Sequence, residues 1–170
     1  IQANPGFVGG FVWEWCDHSV PIGKTSDGKI KYGYGGDFGE KHNDGNFCMD
    51  GLVYPDRTPH TGLLEVKQVY RPVRVTKGKS EESFVFSSTL EFVNAGDILD
   101  CRYEITDKNG IIHIGRVDFD IEPMGSTVVN VSNNVEEYEN EAFIRFIFTA
   151  KEDTDYCEKG YEVCFDQLRI

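Results

Sequence analysis

With 170 residues, 39% hydrophobic and 27% charged, the chain has material for one good core, or for one domain with a piece of another attached. A formal net charge of -12 and a pI near 4.7 exclude the clustered lysine and arginine that phosphate binding requires, and so argue against nucleic acid and against anionic membranes as partners. No run approaches the ~18 apolar residues of a membrane span, and five scattered cysteines without a CxxC pair fit neither a disulfide framework nor a zinc site.

The start, Ile1-Gln2-Ala3-Asn4-Pro5, has no basic or apolar signal-peptide region and does not open on Met. It is expected to belong to a longer parent. Localisation stays open, with the cytoplasm favoured over periplasm or secretion. Next, Gly10-Phe11-Val12-Trp13-Glu14-Trp15 is a short run of apolar β-formers that predicts a buried strand. Gly33, Gly35, Gly36, Gly39, Gly45 and Gly51 then punctuate a stretch without periodicity, which predicts a long loop, and loops of that length in compact proteins are commonly functional. Thr58-Pro59 offers a helix cap and first-turn proline. Leu63, Leu64, Val66, Lys67 and Tyr70 continue at helical spacing until Arg71-Pro72 ends the run. Strand, long loop and helix form the order of one (β/α)8 barrel unit.

From residue 73 onward the grammar changes. Leu99, Cys101, Tyr103 and Ile105 alternate with Asp100, Arg102, Glu104 and Thr106, so one face meets a core and the other water. Asp107-Lys108-Asn109-Gly110 is a hairpin signal, and a partner strand follows from 111 to 121. Further strands are expected over 73–75, 83–93, 127–131, 142–149 and 161–170. The fold class is therefore mainly β: an immunoglobulin-like antiparallel β-sandwich over 73–170, preceded over 1–72 by the last strand-loop-helix unit of a barrel.

Carboxylates crowd the first part: Glu14, Asp17, Asp37, Glu40, Asp44, Asp50 and Asp56 lie among Trp13, Trp15, Phe38, His42 and Phe47. Aromatic faces beside acidic groups suit a carbohydrate, whose C–H faces stack on rings while its hydroxyls donate to carboxylates. The plainer reading is a set of solvated, capping acids in a glycine-rich loop. Asp44, Asp50, Asn43 and Asn46 could hold a hard cation, yet their spacing matches no EF-hand, and His18, His42, His60 and His113 are too scattered for zinc.

The segments Gly9-Gly10-Phe11-Val12-Trp13-Glu14-Trp15, Tyr34-Gly35-Gly36-Asp37-Phe38-Gly39, Asn43-Asp44, Asn46-Phe47-Cys48-Met49-Asp50-Gly51-Leu52-Val53 and Asp56-Arg57-Thr58-Pro59-His60 resemble, in order and spacing, the last barrel-strand region of family 2 β-galactosidases. The resemblance is dense over 9–72 and loose beyond. It implies that Trp13 lines a galactose pocket, that Asp44 sits on its rim, and that the Phe47 carbonyl and the side chain at position 50 ligate a sodium ion; a magnesium ion is expected elsewhere in the parent. Asp50 stands where the family's best-known members carry Asn, adding a negative charge at the ion, and Glu14 stands where an Asp is familiar.

The resemblance also implies that both catalytic glutamates of a retaining galactosidase lie on earlier barrel strands, ahead of Ile1, so that the chain alone is inactive. The remaining domains of the parent are its expected partners, and a homodimer of the fragment is the expected cover for residues 9–15. Two other readings compete: a carbohydrate-binding module using Trp13, Trp15, Tyr34 and Phe38, and a purely structural sandwich.

Overall fold

The computed structural model describes residues 4, 6–132 and 141–170, and divides into two compact units, residues 1–66 and 67–170. Among the described residues no helix is long and apolar enough to cross a membrane.

In the first unit, β1 (Val20–Lys24) and β2 (Ile30–Gly33) form an antiparallel hairpin inside the stretch expected to be loop. Its turn closes where the Thr25 N–H donates to the Lys29 carbonyl at 2.8 Å, with Gly28 at φ +85°. A one-turn 3-10 helix spans Gly45–Cys48, and α1 spans Thr61–Val69. The helix therefore starts later than the Thr58-Pro59 signal indicates. The Asp56 carboxylate accepts the Thr58 N–H at 3.0 Å and its hydroxyl at 2.7 Å, so Thr58 completes a local turn, while Pro59 bridges Val53.

The expected strand over 10–15 is not realised as a ladder. Among the described residues its one bridge is a parallel one just beyond it, Cys16 to Val53, and Phe11, Trp13 and Trp15 are exposed. The reason is geometric: a barrel strand gets its hydrogen bonds from parallel neighbours on both sides, whereas among the described residues the 50–53 segment bonds only Glu14 and Trp15 of this run, on one side, and no backbone partner reaches 10–13.

The second unit consists of two antiparallel sheets. One has the order β3-β4-β7, with β3 at Val73–Lys77, β4 at Ser83–Ser88 and β7 at Ser126–Asn130; the other has the order β6-β5-β8-β9, with β5 at Leu99–Asp107, β6 at Gly110–Val117, β8 at Phe143–Ala150 and β9 at Glu162–Arg169. Leu99, Cys101, Tyr103 and Ile105 are buried as their alternation predicts. The β5–β6 hairpin turns at Lys108-Asn109, where the Asp107 carboxylate accepts the Asn109 N–H at 2.7 Å. The 83–93 strand stops at Ser88, and a short helix, α2 (Ala95–Ile98), follows with Asn94 as its cap, accepting the Gly96 N–H at 2.8 Å.

Phenylalanines from both sheets interlock in the core. Phe84 and Phe86 on β4 meet Phe146 on β8 edge-to-face at centroid distances of 4.9 and 5.0 Å, and Phe86 meets Phe148 at 5.4 Å. Asp166 on β9 is buried and accepts the Val75 N–H of β3 at 2.7 Å and the Arg71 guanidinium at 3.1 Å, giving the outermost strand of the smaller sheet a hydrogen-bond partner. Outward charges are not all solvated, since the Arg145 guanidinium stacks 3.9 Å from the Phe165 ring.

Candidate functional site

Two chain segments in the first unit are knitted backbone to backbone. Asp17 N–H donates to Val53 O at 3.0 Å, His18 N–H to Cys48 O at 2.8 Å, Glu14 N–H to Asp50 O at 3.3 Å, and Val53 N–H to Trp15 O at 3.0 Å. Gly51 permits this approach. A Cβ there would fall 2.3 Å from the Asp17 nitrogen, so no side chain fits. Gly35 does the same for the next loop, where a Cβ would lie 2.2 Å from the Gly45 carbonyl oxygen.

That loop is held from within. The Glu40 carboxylate accepts the N–H groups of Gly36 at 2.6 Å and Phe38 at 3.1 Å, and these bonds, the Gly36 bond first, hold its pKa below the ordinary glutamate value. Asp37 accepts the Tyr34 N–H at 2.9 Å. Two of the loop carboxylates thus serve the backbone, as the plainer reading of the acidic cluster expects.

An open depression of about 360 Å³ is lined by Trp13, Glu14, His18, Asp44, Phe47 and Cys48 together with Gly35 and Gly45. The Trp13 ring is 80% exposed and Phe47 is 78% exposed. Asp44 stands at the cap position of the 3-10 turn but makes no side-chain cap bond, so its exposed carboxylate is not consumed by the backbone. Glu14 faces His18 at 3.3 Å. Three of the residues singled out from the sequence, Trp13, Asp44 and Phe47, therefore surround one depression, whereas Asp50 does not line it. Large ring faces next to hydroxyl-accepting carboxylates are chemically suited to a sugar.

A hard cation would find oxygen donors in the Phe47 carbonyl and the Asp50 carboxylate. Asp50 is exposed, and its side chain has no hydrogen-bond or ion-pair partner among the described residues, so the donor types fit. The number does not complete a shell: among the described residues no group of three or more His, Cys, Asp or Glu is placed to hold a metal.

One feature escaped the sequence reading. Asp17 is 3% exposed, and its Oδ1 accepts the Gly51 N–H at 2.9 Å. Its Oδ2 lies 3.0 Å from His60 Nε2, an ion-pair distance at an angle outside the hydrogen-bond range. Tyr54 packs on the His60 ring at 3.9 Å. Forty-odd residues separate Asp17 from His60, and no spacing rule links them.

Residues 1–75 match the family described as glycosyl hydrolases family 2, TIM barrel domain, and residues 84–170 match the family described as β-galactosidase, domain 4. The chain belongs to the family 2 β-galactosidases. It is 34% identical to a β-galactosidase of Staphylococcus xylosus over 99% of its own length and 35% identical to one of Actinobacillus pleuropneumoniae over 100%. A shorter match to a β-galactosidase of Klebsiella pneumoniae reaches 47% identity over 45% of the chain and 7% of that relative. The chain spans about a sixth of the length of the first two relatives, 17% and 16% respectively. The chain accordingly carries the end of a family 2 TIM barrel domain followed by a mainly β domain.

Proposed function

We propose that the chain supplies one wall of the galactose pocket, together with a structural spacer, to an enzyme that hydrolyses terminal non-reducing β-D-galactosides with retention. The observation that carries this reading is the grouping of Trp13, Asp44 and Phe47 around one open depression. In it the Trp13 ring stacks against the sugar and Asp44 accepts a hydroxyl at the rim. The Phe47 carbonyl and the Asp50 carboxylate would contribute two oxygens to a sodium site, with the other ligands coming from elsewhere in the enzyme, and Asp50 would bring a negative charge to the ion. Magnesium in the parent enzyme belongs to the same reading.

The division of labour follows: residues 1–72 are barrel and residues 73–170 are the linking sandwich. Retaining hydrolysis needs two carboxyl groups ~5 Å apart, and in this reading both come from other barrel strands. The remaining domains are the partners that cover the exposed apolar residues 7–15, and in the isolated chain a second copy is the available cover.

The test uses a chromogenic β-galactoside. The isolated chain is expected to show no turnover, and Trp13→Ala in the full-length enzyme is expected to raise KM about tenfold, equivalent to ~1.4 kcal/mol of lost stacking. Turnover by the pure fragment, or an unchanged KM in Trp13→Ala, refutes the proposal. Galactose binding by the isolated chain would point instead to a self-sufficient binding module.

A further inference from the structure

We infer that Asp17 and His60 form a positioning pair that sets the pocket wall, acting through Gly51 on the segment that carries Asp44, Phe47 and Asp50. This rests on the pocket reading above and goes beyond it by naming what holds the wall in place.

A carboxylate whose side chain is fully covered is costly unless it is paired and hydrogen-bonded. Asp17 is both: it accepts the Gly51 N–H at 2.9 Å and faces His60 Nε2 at 3.0 Å. The contacts lie one residue from Asp50 in one direction and one residue from the start of α1 in the other. His60 N–H donates to Leu52 O at 3.0 Å, and His60 O accepts from Leu63 N–H at 3.0 Å, so the ring sits at a junction of the 48–53 segment and the helix. On the other side, Asp17 is adjacent to His18, whose N–H grips Cys48 O, the last residue of the turn that presents Phe47. With no room for a Cβ at Gly51, the two segments touch directly, and among the described residues the side chain that bonds the Gly51 N–H is Asp17. Loosening it frees Gly51 and allows the Asp44–Asp50 segment to drift from Trp13. The groups facing the substrate stay chemically intact while their spacing changes.

A positioning role of this kind predicts a particular kinetic signature. In the full-length enzyme, Asp17→Ala is expected to raise KM for the chromogenic galactoside at least about fivefold while kcat falls less, since the lost bond shapes the binding wall and touches no reacting atom. Asp17→Asn keeps an acceptor for Gly51 N–H and turns its amide N–H toward His60 Nε2, and is expected to restore KM to within about twofold. A merely structural Asp17 would lower the melting temperature of the Ala variant and leave KM alone. If Asp17→Ala is not recovered folded, His60→Ala carries the same test, with a KM rise of about threefold expected. Trp13→Ala runs alongside. If Trp13→Ala raises KM and the Asp17 and His60 variants do not, the pair is not a positioning device although the pocket reading stands. An unchanged KM in Trp13→Ala brings down both. A KM in Asp17→Asn as poor as in Asp17→Ala also overturns the inference, because the acceptor to Gly51 would then be irrelevant.

Discussion

Replacing Asp166 by alanine isolates the polar contact between the two sheets of the second unit. Its carboxylate serves two donors, the Val75 N–H at 2.7 Å and the Arg71 Nε at 3.1 Å. Val75 is 5% exposed, so water does not replace the lost acceptor, and a stranded buried N–H costs ~1–3 kcal/mol. Arg71 loses less. Its side chain retains some exposure, and its Nη1 keeps the Gln68 carbonyl at 2.7 Å, so ~1 kcal/mol is a fair figure for its partial desolvation. The sum is about 3 kcal/mol for Asp166→Ala. Asp166→Asn keeps an acceptor for Val75 and loses the charge attraction, which predicts about 1 kcal/mol. Urea unfolding of the 170-residue chain followed by far-UV circular dichroism reads the β-sheets, whereas selectively excited tryptophan fluorescence reads the first unit, where both tryptophans, Trp13 and Trp15, reside. A loss below about 0.5 kcal/mol for the alanine variant, or equal losses for alanine and asparagine, refutes the argument.

Three other outcomes follow from the same structure. Gly115 pairs across from Tyr103, and a Cβ there would lie 2.4 Å from the tyrosine ring, so Gly115→Ala should destabilise the second unit by about 1–3 kcal/mol, seen as a lower urea midpoint; an unchanged midpoint contradicts it. Burial pushes the Cys164 thiol up to about 11 and raises Cys101 as well, so a thiol reagent near neutral pH should modify Cys16, Cys48 and Cys157 and leave the other two until denaturant is added. Because those two folded pKa values lie above the unfolded one, their contribution to stability is whole below the unfolded thiol pKa and is lost as pH climbs toward about 11. Glu40 has the opposite sign. Its pKa is held down in the fold, so the order it imposes on Gly36 and Phe38 is whole above the ordinary glutamate pKa and is lost as pH falls through the lowered folded value; the protection of those two amides, taken as exchange relative to the intrinsic rate at each pH, should fall in acid and lose that pH dependence in Glu40→Gln.

How far the sequence spoke depended on where each element finds its partner. β5 was legible residue by residue, because its buried positions follow a period of two and its neighbours β6 and β8 lie within the chain. β1 and β2 were not, since every residue of β1 is exposed and Pro21 and Gly23 interrupt it; Ser26-Asp27-Gly28 was the available turn signal. The short helix after β4 was signalled by Asn94 ahead of Ala95-Gly96-Asp97, a cap sequence that the apolar run before it obscured. In the site, the crowd of acids was visible, but not their separate duties: Asp17 is buried, Glu40 holds a turn and Asp44 is free at a rim. Only tertiary placement distinguishes these carboxylates, because each carries the same charge on the same kind of loop.

The two units also differ in what their apolar residues accomplish. In the second, Phe84, Phe86, Phe146 and Phe148 are wholly buried against one another, so the hydrophobic pattern is satisfied inside the unit. In the first, Phe7, Val8, Phe11, Val12, Trp13 and Trp15 place six large apolar side chains on the surface within residues 7–15. A solvated surface rarely carries such a run, whereas a central barrel strand requires one, because both of its faces are covered by other strands and helices. The apolar run 7–15 therefore has the composition of a strand covered on both faces, and under the proposed pocket reading Trp13, within that run, presents its ring only as firmly as the run itself is held. The contacts of Glu14, Trp15, Asp17 and His18 with the Cys48–Val53 segment grip the chain just after Trp13 and fix one side of the ring's support, while residues 10–13 on its other side have no backbone partner among the described residues.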